Sequence, residues 1–120
     1  MDCSELPIGD LNFLKDLTSR SGAEIVRELV ECAPPSIEKE SAAIKQAIKS
    51  ENRQELKDAC HAFKGACYSV QMSRLACLTK KMEAAIDDMR MARSLLPELD
   101  AACEEAIVWW YNVLNDELYL

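Results

Sequence analysis

The chain contains a single histidine, His61, and a distinctive set of neighbours. Lys64 follows it by three residues, Gly65 by four and Tyr68 by seven, and Lys57 precedes it by four. On a helix, spacings of three, four and seven return to the same side. An imidazole is a nucleophile at neutral pH. Two ammonium groups within one turn put positive charge where a phosphoryl group on that imidazole would carry negative charge. Gly65 removes the side chain beside His61 and opens room for another surface to approach, although glycine in a helix costs about 1 kcal/mol relative to alanine. Arg53 extends the basic strip, and Arg74, Lys80 and Lys81 can add to it from the next helix. A nucleophile, a cation and a cleared approach on one face fit phosphoryl transfer, whose loose, charge-rich transition state needs positioning and electrostatics above all.

A helix carries this set. Leu56, Ala59, Cys60, Phe63, Cys67 and Val70 recur at intervals of three and four and form its buried face. His61 lies roughly 150° around the wheel from the centre of that face, so it points outward. The same wheel argues against a metal or redox centre built on Cys60, His61 and Cys67. The two cysteines point inward and the histidine outward, so they do not converge as a tetrahedral zinc site requires. A helical adaptor that binds proteins without chemistry is the other alternative.

Capping signals and prolines divide the rest of the chain. Asp10 caps a short first helix to about Ser19. Ser21-x-x-Glu24 resembles a capping box for a second, which Pro34-Pro35 ends. Ser36 caps a helix to about Lys49 with the stripe Ile37, Ile44, Ala47 and Ile48. Asn52-x-x-Glu55 opens the histidine helix, which runs to about Val70. Another helix starts near Gln71 or Met72, with Leu75, Leu78, Met82, Ala85 or Ile86, and Met89 as its stripe. Ser94, with Pro97 in the first turn, opens the last, where Leu99, Cys103, Ala106, Trp110 and Val113 recur at helical spacing. Short connections make neighbours antiparallel. The expected fold is therefore all-α, an antiparallel up-down four-helix bundle with one or two short additional N-terminal helices, forming one domain over residues 1–120.

Composition agrees. Apolar residues make up 49% of the 120, aromatics only 6%, and three glycines are present. The formal net charge is −7 and the isoelectric point about 4.7. So acidic a chain repels phosphate backbones and anionic membranes, and no nucleic-acid or membrane partner is expected. No apolar run has the length of a membrane span and the N-terminus lacks the features of a signal peptide. Six cysteines without a C-x-x-C pair or a secretory signal point to a reducing compartment, with most of them buried as small apolar residues. In Trp109-Trp110-Tyr111, Trp110 is expected in the core and Trp109 at its edge.

His61-Ala62-Phe63-Lys64-Gly65-Ala66 resembles the H-x-x-K-G-[SA] motif of histidine phosphotransfer (HPt) domains. Leu75, Leu78, Met82 and Glu83 fall where that family has an apolar, apolar, apolar, Glu pattern. The resemblance covers about Ala59 to Glu83 by motif and the whole chain by helix order. Two departures stand out. Gln71-Met72 occupies a usual Gly-Ala position, and Ala66-Cys67 replaces a common Ser-Ser or Ser-Ala pair.

The resemblance implies a phosphorelay intermediate. His61 takes a phosphoryl group from a receiver-domain aspartate, for example of a hybrid histidine kinase, and passes it to a response regulator. Lys64 stabilises the phosphoryl oxygens, Gly65 gives access, and Lys57, Ala62, Tyr68 and Met72 contribute to docking. No cofactor is implied, because the Mg²⁺ belongs to the receiver. The chain has no nucleotide-binding motif, so it is expected to carry phosphate as a phosphocarrier and not to act as a kinase. A stand-alone cytoplasmic monomer, with access to the nucleus, is the matching expectation.

Overall fold

A computed structural model of the chain describes residues 2–116. Within them are a short 3-10 helix, Cys3–Glu5, and five α-helices: α1 (Leu11–Ser21), α2 (Ala23–Lys49), α3 (Arg53–Ser69), α4 (Ser73–Ala84) and α5 (Met89–Asn115). Helix α2 packs on α3, α3 on α4, α4 on α5 and α5 back on α2, which closes a four-helix ring. The connections between these helices span three or four residues, so neighbours run antiparallel. The all-α bundle expected from the sequence is therefore the observed fold. At 1.5 Å per residue, a 27-residue helix is about 40 Å long, and the molecule measures 44 × 24 × 21 Å.

The main difference lies in α2. It runs unbroken through Pro34 and Pro35, so the two helices expected on either side of the prolines are one. The prolines withhold the amides that would serve the carbonyls of Val30 and Glu31. The apolar register compensates: Val26, Val30, Ala33, Ile37, Ser41, Ile44 and Ile48 are all buried at steps of four and three, in phase across the prolines. Packing of that stripe outweighs the lost hydrogen bonds. Among the described residues, the only separate N-terminal α-helix is α1.

Some caps also differ. The Phe13 and Glu55 amides donate to Asp10 and Asn52, each at 3.0 Å, as the sequence suggests. Ser21 caps nothing. It ends α1, and Gly22, at φ 93°, turns the chain into α2. A positive φ of this kind suits glycine. Helix α5 begins at Met89 under an Asp88 cap that accepts from the Arg90 and Met91 amides, so Ser94 and Pro97 lie inside it.

The N-terminal segment is strapped to α4 and α5. Cys3 and Cys77 form a disulfide with Cα atoms 5.7 Å apart. Arg74 donates its Nε to the Leu6 carbonyl at 2.9 Å and pairs with Glu105 at 2.5 Å. Gly9 lies against the Trp109 indole so closely that a Cβ would come within 2.6 Å of it. The expectation that cysteines are chiefly buried thiols holds for Cys60, Cys67 and Cys103 but not for this pair, and Cys32 is free and exposed. Sequence separation hid the bond, since folding alone brings positions 74 residues apart together. Trp110 is fully buried and Trp109 packs at the core edge.

Candidate functional site

Helix α3 is held by its inner face. Leu56, Cys60, Phe63 and Cys67 are buried, and burial pushes the Cys60 thiol up to about 12, the nearby Glu83 carboxylate acting in the same direction. His61 is exposed on the opposite side, as the wheel requires. It lines an open depression with Lys57, Asp58, Ala62 and Glu83. Gly65 is exposed too, and a Cβ there would meet no atom within 4 Å, so the space one turn beyond His61 is clear. Tyr68 stands at 55% exposure at the far end of the strip.

Lys64 sits at the border with α4, where its Nζ is 2.7 Å from Glu83 Oε1. Its pKa lies above the ordinary lysine value, chiefly because of the hydrogen bond to Glu83. It is therefore a cation throughout the neutral range. The structure thus brings His61, Lys57, Lys64, Gly65, Ala62 and Tyr68 to one face, with the Lys64 cation already engaged by a carboxylate.

Three basic or docking assignments change. Met72 is buried at 3% exposure, and its sulfur accepts the Trp110 indole N–H at 3.1 Å, so it is a core residue that does not stand on the His61 face and meets the surface only as lining of the groove between α2 and α3. It ends up inside because the turn after α3 folds back before α4 begins. Arg74 is committed to Leu6 and Glu105 and does not extend the basic strip. Arg53 is paired with Asp87 across the α4–α5 connection.

Sequence reasoning missed an apolar groove of about 190 Å³ between α2 and α3. Leu29, Cys32, Ala33 and Ser36 form its α2 wall; Phe63, Ala66, Ser69 and Val70 form its α3 wall. A run of small residues (Ala62, Gly65, Ala66, Ser69) leads from His61 toward it, and that run was the available signal. Reading the prolines as a break hid the other wall.

A family model for the Hpt domain matches residues 26–109. The chain belongs to the Hpt domain family. The match begins in α2 and ends in α5, so it takes in most of those two helices, all of α3 and α4, and the histidine strip. The structure is also similar to the crystal structure of histidine-containing phosphotransfer protein B (HptB) from Pseudomonas aeruginosa PAO1. The TM-score is 0.79 at 18% identity, covering 90% of this chain and 95% of that one. At that identity the likeness speaks to the fold. No curated protein matches the chain in sequence. Membership of the Hpt family makes this a phosphorelay protein that works with receiver domains by histidine phosphotransfer. No helix among the described residues is long and apolar enough to cross a membrane.

Proposed function

We propose that His61 is the phosphoryl acceptor, taking the group from the aspartyl phosphate of a hybrid-kinase receiver and yielding it to the aspartate of a response regulator. The observation that carries this reading is the exposed imidazole on α3 beside the open space at Gly65, in the chain's only histidine. In the forward step the Nε2 lone pair attacks phosphorus. The P–O bond to the receiver aspartate breaks as the P–N bond forms, and the aspartate leaves as a carboxylate. In the second step a carboxylate oxygen of the next receiver attacks, and the neutral imidazole is recovered. The receiver supplies the Mg²⁺; this chain supplies position and charge.

Lys64 would serve the phosphoryl oxygens, and Lys57 would add positive potential at the rim of the same depression. Ala62, Gly65 and Tyr68 would meet the receiver, and the α2–α3 groove would take an apolar side chain from it.

The test is incubation with a panel of phosphorylated receivers. The wild type should acquire acid-labile, base-stable phosphate from at least one, and His61→Gln should acquire none while keeping its circular dichroism spectrum. Uptake by His61→Gln, or none by the wild type from any receiver, refutes the assignment.

A further inference from the structure

We propose that Glu83 sets how readily the phosphoryl group leaves His61, by competing with it for Lys64 and by placing a carboxylate beside it. The inference rests on His61 being the acceptor and deepens that reading. The carboxylate of Glu83 holds Lys64 at 2.7 Å, and the two side chains are 23% and 27% exposed, so the pair is partly shielded from water. Glu83 also lines the depression that contains His61. It is therefore close both to the cation that would stabilise a phosphoryl group and to the place where that group would sit. The other carboxylate in the depression, Asp58, accepts a hydrogen bond from the Gln54 amide at 2.9 Å. Glu83 is the one bonded to Lys64.

The physical consequence has a definite sign. A phosphoryl group on His61 brings close to two negative charges. Lys64 then divides its attraction between Glu83 and the phosphoryl oxygens, and the Glu83 carboxylate repels those oxygens directly. Both effects raise the free energy of phosphohistidine relative to the aspartyl phosphate of a partner. Glu83 thus keeps occupancy of His61 short and drives the group onward. It is a positioning residue, acting through its hold on Lys64 and through its own charge beside the phosphoryl group.

Phosphoramidate isolates this effect from partner docking. Its P–N bond breaks, ammonia leaves, and the phosphoryl group bonds to Nε2 of His61. After the donor is removed, loss of phosphate to water at neutral pH is followed by ³¹P NMR. In that step the P–Nε2 bond breaks, a water oxygen bonds phosphorus, one water proton passes to the leaving imidazole and the other stays on the phosphate product.

Glu83→Gln should lengthen the lifetime about threefold to tenfold, as expected for one charge near a partly exposed site. Glu83→Asp, which keeps the charge, should stay within about twofold of the wild type. The gain from Glu83→Gln should shrink in a Lys64→Ala background and narrow in high salt, neither of which follows from a general change in packing. A Glu83→Gln lifetime equal to or shorter than that of the wild type overturns the proposal. So does a gain that is insensitive to both salt and Lys64. A wild type that loads from phosphoramidate and from a receiver but is unaffected by Glu83→Gln refutes this inference alone. A wild type that loads from neither overturns the acceptor reading and this one with it.

Discussion

A Cβ built on Gly65 meets no atom within 4 Å, so alanine fits there without displacing anything. Helix α3 would then gain the difference in propensity, about 1 kcal/mol, and Gly65→Ala should raise Tm by about 4 °C in calorimetry. The wild-type residue is thus worse for the helix, and the approach of a partner gives it a use. A long side chain should show this. Gly65→Gln should reduce uptake from a phosphorylated receiver about tenfold or more, an effect of roughly 1.4 kcal/mol or above, and should reduce loading from phosphoramidate far less. Equal losses from both donors would mean that Gly65 acts on the imidazole and not on docking. At this scale the sequence was informative wherever one helix held all the parts. His61, Lys64, Gly65 and Tyr68 share α3, and a wheel suffices to relate them. Glu83 lies on α4, and its bond to Lys64 is a tertiary contact that no spacing rule encodes. Arg74 shows the converse, since a cation near the site in sequence is spent on the Leu6 carbonyl.

The elements divide in the same way. Helix α3 and the start of α4 stood out in the sequence because Asn52 caps the first and the turn between them falls at Gln71-Met72, whereas α4 stops at Ala84 and Met89, read as part of its stripe, opens α5. Helix α2 was misread because two adjacent prolines are a strong local stop signal. The in-phase stripe from Val26 to Ile48 is a longer-range signal that prevailed through packing. The departure at Gln71 has a physical cost that the structure explains. Gln71 is at φ 61°, in the left-handed region, where glycine escapes the Cβ clash that other residues incur. The Met72 amide still reaches the Cys67 carbonyl at 2.9 Å, so the turn keeps its closing hydrogen bond. Gln71→Gly should therefore stabilise the bundle by about 0.5–1 kcal/mol, once the greater freedom of glycine in the unfolded chain is subtracted. Urea unfolding monitored at 222 nm measures this. A lower midpoint would mean that the Gln71 side chain, which donates to the Tyr68 carbonyl at 3.5 Å, outweighs the backbone strain.

On the scale of the whole molecule, the N-terminal strap is fixed at Arg74 and Cys77 of α4 and against Trp109 of α5. The Cys3–Cys77 bond ties the N-terminal segment to α4, whereas His61 is held by the packing of α3 against α2 and α4. A crosslink spanning 74 positions restricts the unfolded chain strongly, and bonds of this kind contribute about 2–4 kcal/mol. Exchange with the buried thiols is disfavoured, because only a thiolate attacks a disulfide. Burial pushes the Cys60 and Cys103 thiols up to about 12 and raises that of Cys67 as well, so at neutral pH all three stay protonated inside the bundle. Cys32 is the exposed thiol. Iodoacetamide at pH 8, applied to the folded oxidised protein, should accordingly mark Cys32 alone in peptide mapping. Cys3→Ala should lower Tm by roughly 10 °C, the equivalent of the crosslink's contribution in a chain of this size. Phosphoramidate loading of His61 below that Tm should persist, because the segment released packs on α4 and α5 and not on the outer face of α3. Loss of loading together with the crosslink would instead mean that the N-terminal strap holds α4, and with it Glu83, in the register that the site requires.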